Sequence, residues 1–596
     1  MLMPLSEARN DRPSANGSAP AVNCAPAGLP TTVNPSASDS GSSAADSPRN
    51  IPAFARVLPS LTDVAFLMPI SFLFLKLSGA RSLLGDGDTG WHVRTGEWIL
   101  QHHQVPQVDF FSFTRPGAPW FAWEWLWDVI FALFYRAGGL QAVVFASTLV
   151  ICLTSVALFR LIRRKCNNSL VSIAVTLLAT GGCAIHWLAR PHLFTLLFFT
   201  LTLHITDRAF TEGRTKLLAW LVPLTLLWTN LHAGFFVIFL ILACYVGSNL
   251  LNALIDRDPS ARIGYLKATA PWLATALGCF AVSFINPYGW HLHQHMLEYI
   301  TDPYQLQHIT EFQSMNFHDP VTVYFEPLMI GSLMAVAWAV SRRQFADMFL
   351  VMGWMHLALI AQRNLPLFSI ACAPLVAQAI VALLAAAKAS PLSERIGQLS
   401  GWFLNTSAGT DLNDRFGRVH LISAAGYALL GLLLFSRLPL NDKFISTYDP
   451  NSYPEKALPL LRAAETHHIF AEDEWGDYLI YQLYPSKQVF IDGRSDFYGD
   501  DFGLEYIRLL TVQVGWEKTL DRFNIDTVVL SPKFALSQTL KISRDWRLVY
   551  DDHITLVFRR AVPDTSSVAS RGDGDGRDLA ITKTVARDLT IAKPKT

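Results

Sequence analysis

Between about residue 57 and residue 436 one apolar run follows another, most of them long enough for a helix to cross a hydrocarbon core about 30 Å thick at 1.5 Å per residue. Backbone polar groups in lipid are satisfied only within helices or a closed barrel, and runs of this length belong to helices. The candidate spans are 57–77, 140–160, 169–187, 192–207, 217–230, 234–252, 268–285, 321–340, 344–361, 365–387 and 419–436. The fold class that follows is an α-helical polytopic membrane protein with about eleven transmembrane helices, carrying a small soluble α/β domain at its C-terminal end. The chain of 596 residues is 51% hydrophobic and 16% charged, and its 48 Lys and Arg balance 48 Asp and Glu. Zero net charge leaves no electrostatic footprint for nucleic acid, so membrane lipid is an expected partner and nucleic acid is not.

Orientation is set by where the loop Lys and Arg fall. Alternate loops carry Arg160, Arg163, Arg164 and Lys165; Arg208, Arg214 and Lys216; Arg257, Arg262 and Lys267; Arg342 and Arg343; and Lys388, Arg395, Arg415 and Arg418. The intervening loops are poor in base, and 286–320 has none. This phase predicts the N-terminus inside and the C-terminus outside, and the expected location is a bacterial inner membrane. Residues 120–135, WFAWEWLWDVIFALFY, would reverse the phase if they crossed the membrane. Glu124 and Asp128 among so many Trp fit a helix lying in the interface instead.

The domain plan that results is a disordered cytoplasmic tail over 1–56, a transmembrane domain over 57–436 with a long first outer loop over 78–139, an outer-side α/β domain over 437–562, and a disordered tail over 563–596. Apolar β-branched runs at 488–491 and 527–530 alternate with helix-like stretches over 500–523, which predicts a mainly parallel sheet. Cysteines stand at 24, 152, 166, 183, 244, 279 and 372, with no CxxC pair, and predict neither a disulfide framework nor a zinc site.

Polar residues beside membrane spans are costly and mark function. The inner loops carry mostly generic base, whereas the outer ends carry a varied set. It comprises Asp86, Asp88, His92, Arg94 and Glu97; Arg190 and His192; Asn230 and His232; Asn286, His291, His293, His295 and Glu311; and Arg363 and Asn364. Taken singly, each has a plainer role. The Asn-Pro-Tyr-Gly at 286–289 reads as a turn, the arginines can snorkel, and two Asp flanking a Gly are ordinary loop chemistry. Their convergence on one membrane face is the functional signal.

The stretch 85–98, GDGDTGWHVRTGEW, puts a carboxylate pair just beyond the first span and ahead of an amphipathic helix and an aromatic one. In this it resembles the GT-C superfamily of membrane glycosyltransferases, and the wider chain is similar to related bacterial membrane proteins of unassigned substrate. Their pattern Asp-Thr-x-Trp-His-x-x-x-Gly-x-Trp-Ile is met from Asp88 to Ile99, with Gly90 where Trp is usual. The resemblance continues through Arg190-Pro191-His192, Asn230-Leu231-His232, the 286–289 turn and Arg363-Asn364 to Asp492-Gly493-Arg494. It implies inverting, direct transfer of a sugar from a polyprenyl-phosphate donor to a glycan, lipid or protein acceptor outside the membrane. Asp88 or Asp86 would be the base or would bind Mg²⁺ or Mn²⁺ in the metal-dependent case. Arg190, Arg363 and Arg94 would meet the phosphate, with His232, His192, Asn230 and Asn364 beside the donor. On the acceptor side stand Asp492 and Arg494, which as charged residues near a strand end can equally pair with each other. A transporter, flippase or polymerase of lipid-linked glycans would also need a polar cavity, and a non-catalytic envelope assembly protein would need none.

A reporter active only outside the cytoplasm should be active when fused after Phe558 and silent when fused after Lys165. The reverse pattern would mean that 120–135 spans the membrane.

Overall fold

The computed structural model describes residues 57–561 apart from 390–392, 415–416, 418 and 437–440, so the two tails expected over 1–56 and 563–596 lie outside the described residues. Helix α1 (Leu61–Ser71) opens with Ser60, whose side chain caps the Asp63 N–H while Asp63 reaches back to the Ser60 backbone. Pro69 interrupts its bonding ladder, and the chain continues as a π-helix over Phe72–Lys76. Helix α2 (Asp88–His102) follows, then the kinked α3 (Trp125–Cys166), α4 (Ser169–Cys183) and α5 (His192–Thr211).

About eleven spans are predicted. Six helices among the described residues are long and apolar enough to cross a membrane, namely Trp125–Cys166, Ser169–His186, His192–Thr211, Ala233–Ile255, Thr322–Ser341 and Gln362–Ala389. Phe345–Ile360 and Leu421–Phe435 are apolar and shorter. The other three predicted spans are also helical but broken. The first is divided after Pro69. The span expected at 217–230 is a 3₁₀ turn (Thr215–Trp220) leading into Leu221–Leu231, and that at 268–285 is helix Ala270–Val282 with Pro271 in its first turn.

The interfacial helix expected over 120–135 begins at Trp125 and belongs to α3, which departs from helical geometry at Gly138 and Gly139 before continuing to Cys166. Its first part packs on α2, where buried His92 meets buried Asp128 at 2.6 Å. At the opposite ends of these helices Lys165 bonds Asp347 at 2.6 Å and Asp207 at 3.1 Å, and Arg163 bonds Asp411 at 2.8 Å. The polar set and the basic set of the sequence thus sit at opposite helix ends.

The C-terminal segment carries a four-stranded sheet of β1 (Ile469–Ala471), β2 (Thr527–Leu530), β3 (Trp546–Asp551) and β4 (Leu556–Arg560), in the order β1-β2-β4-β3. The expectation of a mainly parallel sheet is corrected. Of the pairings among the four strands only β1–β2 is parallel, while β4 runs antiparallel to β2 and closes a hairpin with β3 in which Asp552 accepts from the Ile554 and Thr555 N–H groups; the bridges of Val489 to Ile469 and Ser112 are parallel. The predicted strand at 488–491 is a single bridging residue. Val489 sits between Ile469 and Ser112, so the first loop extends the sheet.

Two further ties fix this segment to the first loop. Helix α6 (Asp473–Leu483) lies across α2, with the Tyr481 carbonyl accepting from Arg94 Nε and Nη2 at 2.9 and 2.6 Å. A Cβ on Gly90 would stand 2.6 Å from Tyr481 Cβ, so this crossing requires a glycine there. Beyond the sheet, Arg494 is buried against Asp492 and Asp109 at 2.6 and 2.8 Å, and Tyr498 donates to Asp492 at 2.8 Å.

Losing one side of a buried ion pair strands the other charge and costs about 3–5 kcal/mol. Arg494→Met should therefore lower the thermal unfolding midpoint of the purified chain and open 441–561 to protease. An unchanged midpoint would show that the clamp is not what holds the segment.

Candidate active site

The Asp86-Gly87-Asp88 turn precedes α2, and Asp88 occupies the first helical position, where a carboxylate is favoured by the helix dipole. The turn before α5 is pinned to it. The Ala189 N–H donates to the Leu83 carbonyl at 2.7 Å, and Thr89 Oγ1 donates to the Ala189 carbonyl at 3.1 Å. Arg190 is thereby delivered between the two carboxylates, with Nη1 2.9 Å from Asp86 Oδ2 and Nη2 2.5 Å from Asp88 Oδ2. Glu311, from a 3₁₀ turn over Thr310–Phe312, reaches Nη1 at 3.6 Å.

The Glu311 turn also holds the turn carrying Arg363. The Gln362 N–H donates to the Gln313 carbonyl at 2.9 Å, and Gln362 Nε2 to the Thr310 carbonyl at 2.7 Å. The Arg363 guanidinium lies 4.5 Å from the Phe312 ring centre and donates to Tyr299 at 3.5 Å. His192 is held by the His186 carbonyl at 2.6 Å, and its ring centre is 6.5 Å from that of His232.

Three carboxylates around one guanidinium cannot all ionise cheaply, since like charges about 4 Å apart repel by about 4 kcal/mol at an effective dielectric of 20. Glu311 is held ionised. Burial opposes its charge, but Arg190, His186 and Arg363 outweigh it and hold it at about 2. Asp86 goes the other way. Burial raises it to about 7 against the pull of Arg190, with Asp88 and Glu311 adding to the rise. Among the described residues its Oδ1 is buried without a hydrogen-bond partner. His232 is pushed down to about 3 by burial and by Arg363 and Arg190, so its ring is neutral.

Several residues named from sequence are engaged elsewhere. Arg94 is spent on Glu97 at 2.6 Å and on the Tyr481 carbonyl. Asn230 donates to the Leu226 and Ile285 carbonyls and accepts from Trp125 Nε1, and Asn364 donates to the Leu357 carbonyl, so both brace backbone. Asp492 and Arg494 are buried in their own clamp, the pairing that was their plainer reading, and not presented to an acceptor.

Sequence reasoning passed over Asp477, on α6. The Gly493 N–H donates to its Oδ1 at 2.9 Å, and a Cβ on Gly493 would stand 2.6 Å from both Asp477 Oδ2 and Asp88 Oδ1. Burial, then Asp88 and Asp492, pushes the Asp477 carboxyl well above the usual carboxylate range. Glu124, visible as a charge in an aromatic run, also belongs here, with its Oε1 3.8 Å from His232 Nε2.

No protein-family model matches the chain, and no curated protein matches it. Among solved structures it is similar to the archaeal oligosaccharyltransferase AglB from Archaeoglobus fulgidus, in complex with an inhibitory peptide and a dolichol-phosphate, at 12% identity over 79% of this chain and 69% of that one, with a TM-score of 0.49. It is also similar to ArnT from Cupriavidus metallidurans bound to undecaprenyl phosphate, at 12% identity over 84% of this chain and 97% of that one, with a TM-score of 0.41. The apo form of ArnT gives 13% identity and a TM-score of 0.42. At such scores the likeness carries nothing further, and the chemistry rests on the side chains.

Removing Arg190 takes away the main cation holding Glu311 ionised. In Arg190→Ala the Glu311 carboxyl should titrate at higher pH, giving a protonated C=O infrared band above pH 3 that disappears in Arg190→Ala/Glu311→Gln. A carboxyl spectrum identical to wild type would mean that Arg190 and Glu311 are not coupled.

Proposed function

We infer that this chain is a membrane glycosyltransferase that moves a sugar from a polyprenyl-phosphate donor to an acceptor at the outer face of a bacterial inner membrane, by direct inverting displacement. The observation that carries this reading is the Arg190 fork. It is fixed by carboxylates from two separate segments, has a second guanidinium, Arg363, within electrostatic reach, and stands at one end of the apolar helices. A guanidinium fork matches a phosphate in geometry and charge. As the bond from the anomeric carbon to the phosphate oxygen breaks, negative charge grows on that oxygen, and two fixed cations stabilise it without reorganising. The polyprenyl chain would follow the apolar helix faces.

Asp88 sits 2.5 Å from Arg190 and pairs with its guanidinium. We assign it, with Asp86, to the donor side, where the two hold Arg190 in the orientation that meets phosphate. A divalent cation such as Mg²⁺ or Mn²⁺ would fit the excess of carboxylate and the unpartnered Asp86 Oδ1, and Asp86 and Asp88 would hold it. It would supply further positive charge to the phosphate. Among the described residues no group of three or more His, Cys, Asp and Glu has metal-holding geometry. Asp477 covers Asp88 from α6, which gives the C-terminal segment a part in closing the donor side.

Arg190→Ala and Arg363→Ala should each lower donor turnover at least tenfold, and Lys at either position should restore it only in part. Asp88→Asn should weaken donor use in the same way. Where a cation is involved, a chelator should reproduce the loss and excess Mg²⁺ or Mn²⁺ should relieve it. Full activity of both Ala variants with an undecaprenyl-phosphate-linked hexose would remove the arginines from the site.

A further inference from the structure

His232 is held by a chain of bonds that decides which of its nitrogens carries the proton. Trp228 Nε1 donates to Thr195 Oγ1 at 2.9 Å, which leaves the Thr195 hydroxyl hydrogen free to donate to His232 Nδ1 at 2.8 Å. The Gly234 N–H donates to the same Nδ1 at 2.9 Å. With Nδ1 accepting, the proton of the neutral ring is on Nε2. That N–H faces Glu124 Oε1 across 3.8 Å, too far for a direct hydrogen bond. An oxygen placed beside the gap reaches both groups. The two side chains are only 16% and 12% exposed, so what enters the gap is largely desolvated. Trp123, adjacent in sequence to Glu124, has its ring centre 5.6 Å from that of Tyr299, and such rings offer flat apolar surface of the kind that packs on a sugar ring.

We propose that the gap between His232 Nε2 and Glu124 Oε1 seats the acceptor's reacting hydroxyl, that Glu124 is the general base, and that the acceptor is therefore an alcohol and not an amide. The hydroxyl oxygen accepts from Nε2–H and donates its own hydrogen to Oε1. An amide nitrogen has no available lone pair to accept from Nε2–H and is refused. In the step itself the O–H proton passes to the Glu124 carboxylate. The oxygen's electron pair forms the bond to the anomeric carbon, and the bond from that carbon to the donor phosphate oxygen breaks with its electron pair leaving on the phosphate. Bonds formed and broken balance, and no co-reactant is needed.

The charges around Glu124 suit this role. Burial, reinforced by Asp496 and Asp88 and opposed by Arg190 and by the Trp123 N–H, raises its carboxyl to about 8, near the pH at which a base works best. His232, opposite, stays neutral and keeps its donor. The base form is the ionised one, so turnover should rise about tenfold per pH unit toward about 8 and level off above it.

The proposal rests on the glycosyltransferase reading, and the test separates the two. The purified full-length chain in nanodiscs is given undecaprenyl-phosphate-linked hexoses with either an alkyl glycoside or an asparagine-containing peptide as acceptor, and released undecaprenyl phosphate is measured. Wild type should turn over with the glycoside and not the peptide. Glu124→Gln should lose about a hundred- to ten-thousand-fold in turnover, with donor binding and thermal midpoint unchanged and the rise toward pH 8 gone. His232→Phe should raise KM for the glycoside, and His232→Gln, which keeps an N–H, should recover part of it. Glu124→Gln within threefold of wild type, loss of donor binding in that variant, or equal use of the peptide would overturn the proposal alone. A wild type that releases nothing with either acceptor would overturn the glycosyltransferase reading and this proposal with it.

Discussion

Arg190 against Asp86 and Asp88 is the contact on which the site depends. One guanidinium delivered by the turn before α5 draws together the end of the first apolar helix and, through Glu311, a loop more than two hundred residues further on. Its charge keeps Glu311 ionised, while burial, with Asp88 and Glu311 adding to it, raises Asp86 to about 7. The C-terminal segment completes the arrangement by laying Asp477 against Asp88, a position fixed by the Arg494 clamp and the close crossing at Gly90. Each piece is a modest interaction, and the combination is a cation fork with little freedom to move.

Much of this was legible in the sequence, because the constraints involved are local or periodic. Apolar runs must be helical in lipid, and every predicted span is helical. Three fall into broken or short helices where Pro69, Pro271 and the 3₁₀ turn at Thr215–Trp220 intervene. Asp86, Asp88, Arg190, His192, His232 and Arg363, expected at one membrane face from the alternating loop pattern, lie near one another. What failed depended on tertiary partners. Nothing in the sequence says that Arg94 is taken by a carbonyl nearly four hundred residues away, or that Asn230 braces the Ile285 carbonyl.

The same distinction explains the C-terminal segment. β-branched runs predict strands but not their direction, which at one edge is set by a hairpin at Asp552, while at the other the first loop adds a parallel bridge. Asp477 and Glu124 were visible only as charges, one in an amphipathic helix and the other in an aromatic run. Their importance comes from facing Asp88 and His232, which no spacing rule encodes.

The central claim is that Arg190 is a phosphate fork for a polyprenyl carrier. Native mass spectrometry of the full chain with undecaprenyl phosphate and with undecaprenol tests it most directly, because the two lipids share the chain and differ only in the phosphate. The account predicts that wild type retains the phosphate and not the alcohol, and that Arg190→Ala retains neither. Equal retention of the two lipids by wild type, or undiminished retention of the phosphate by Arg190→Ala, would contradict it.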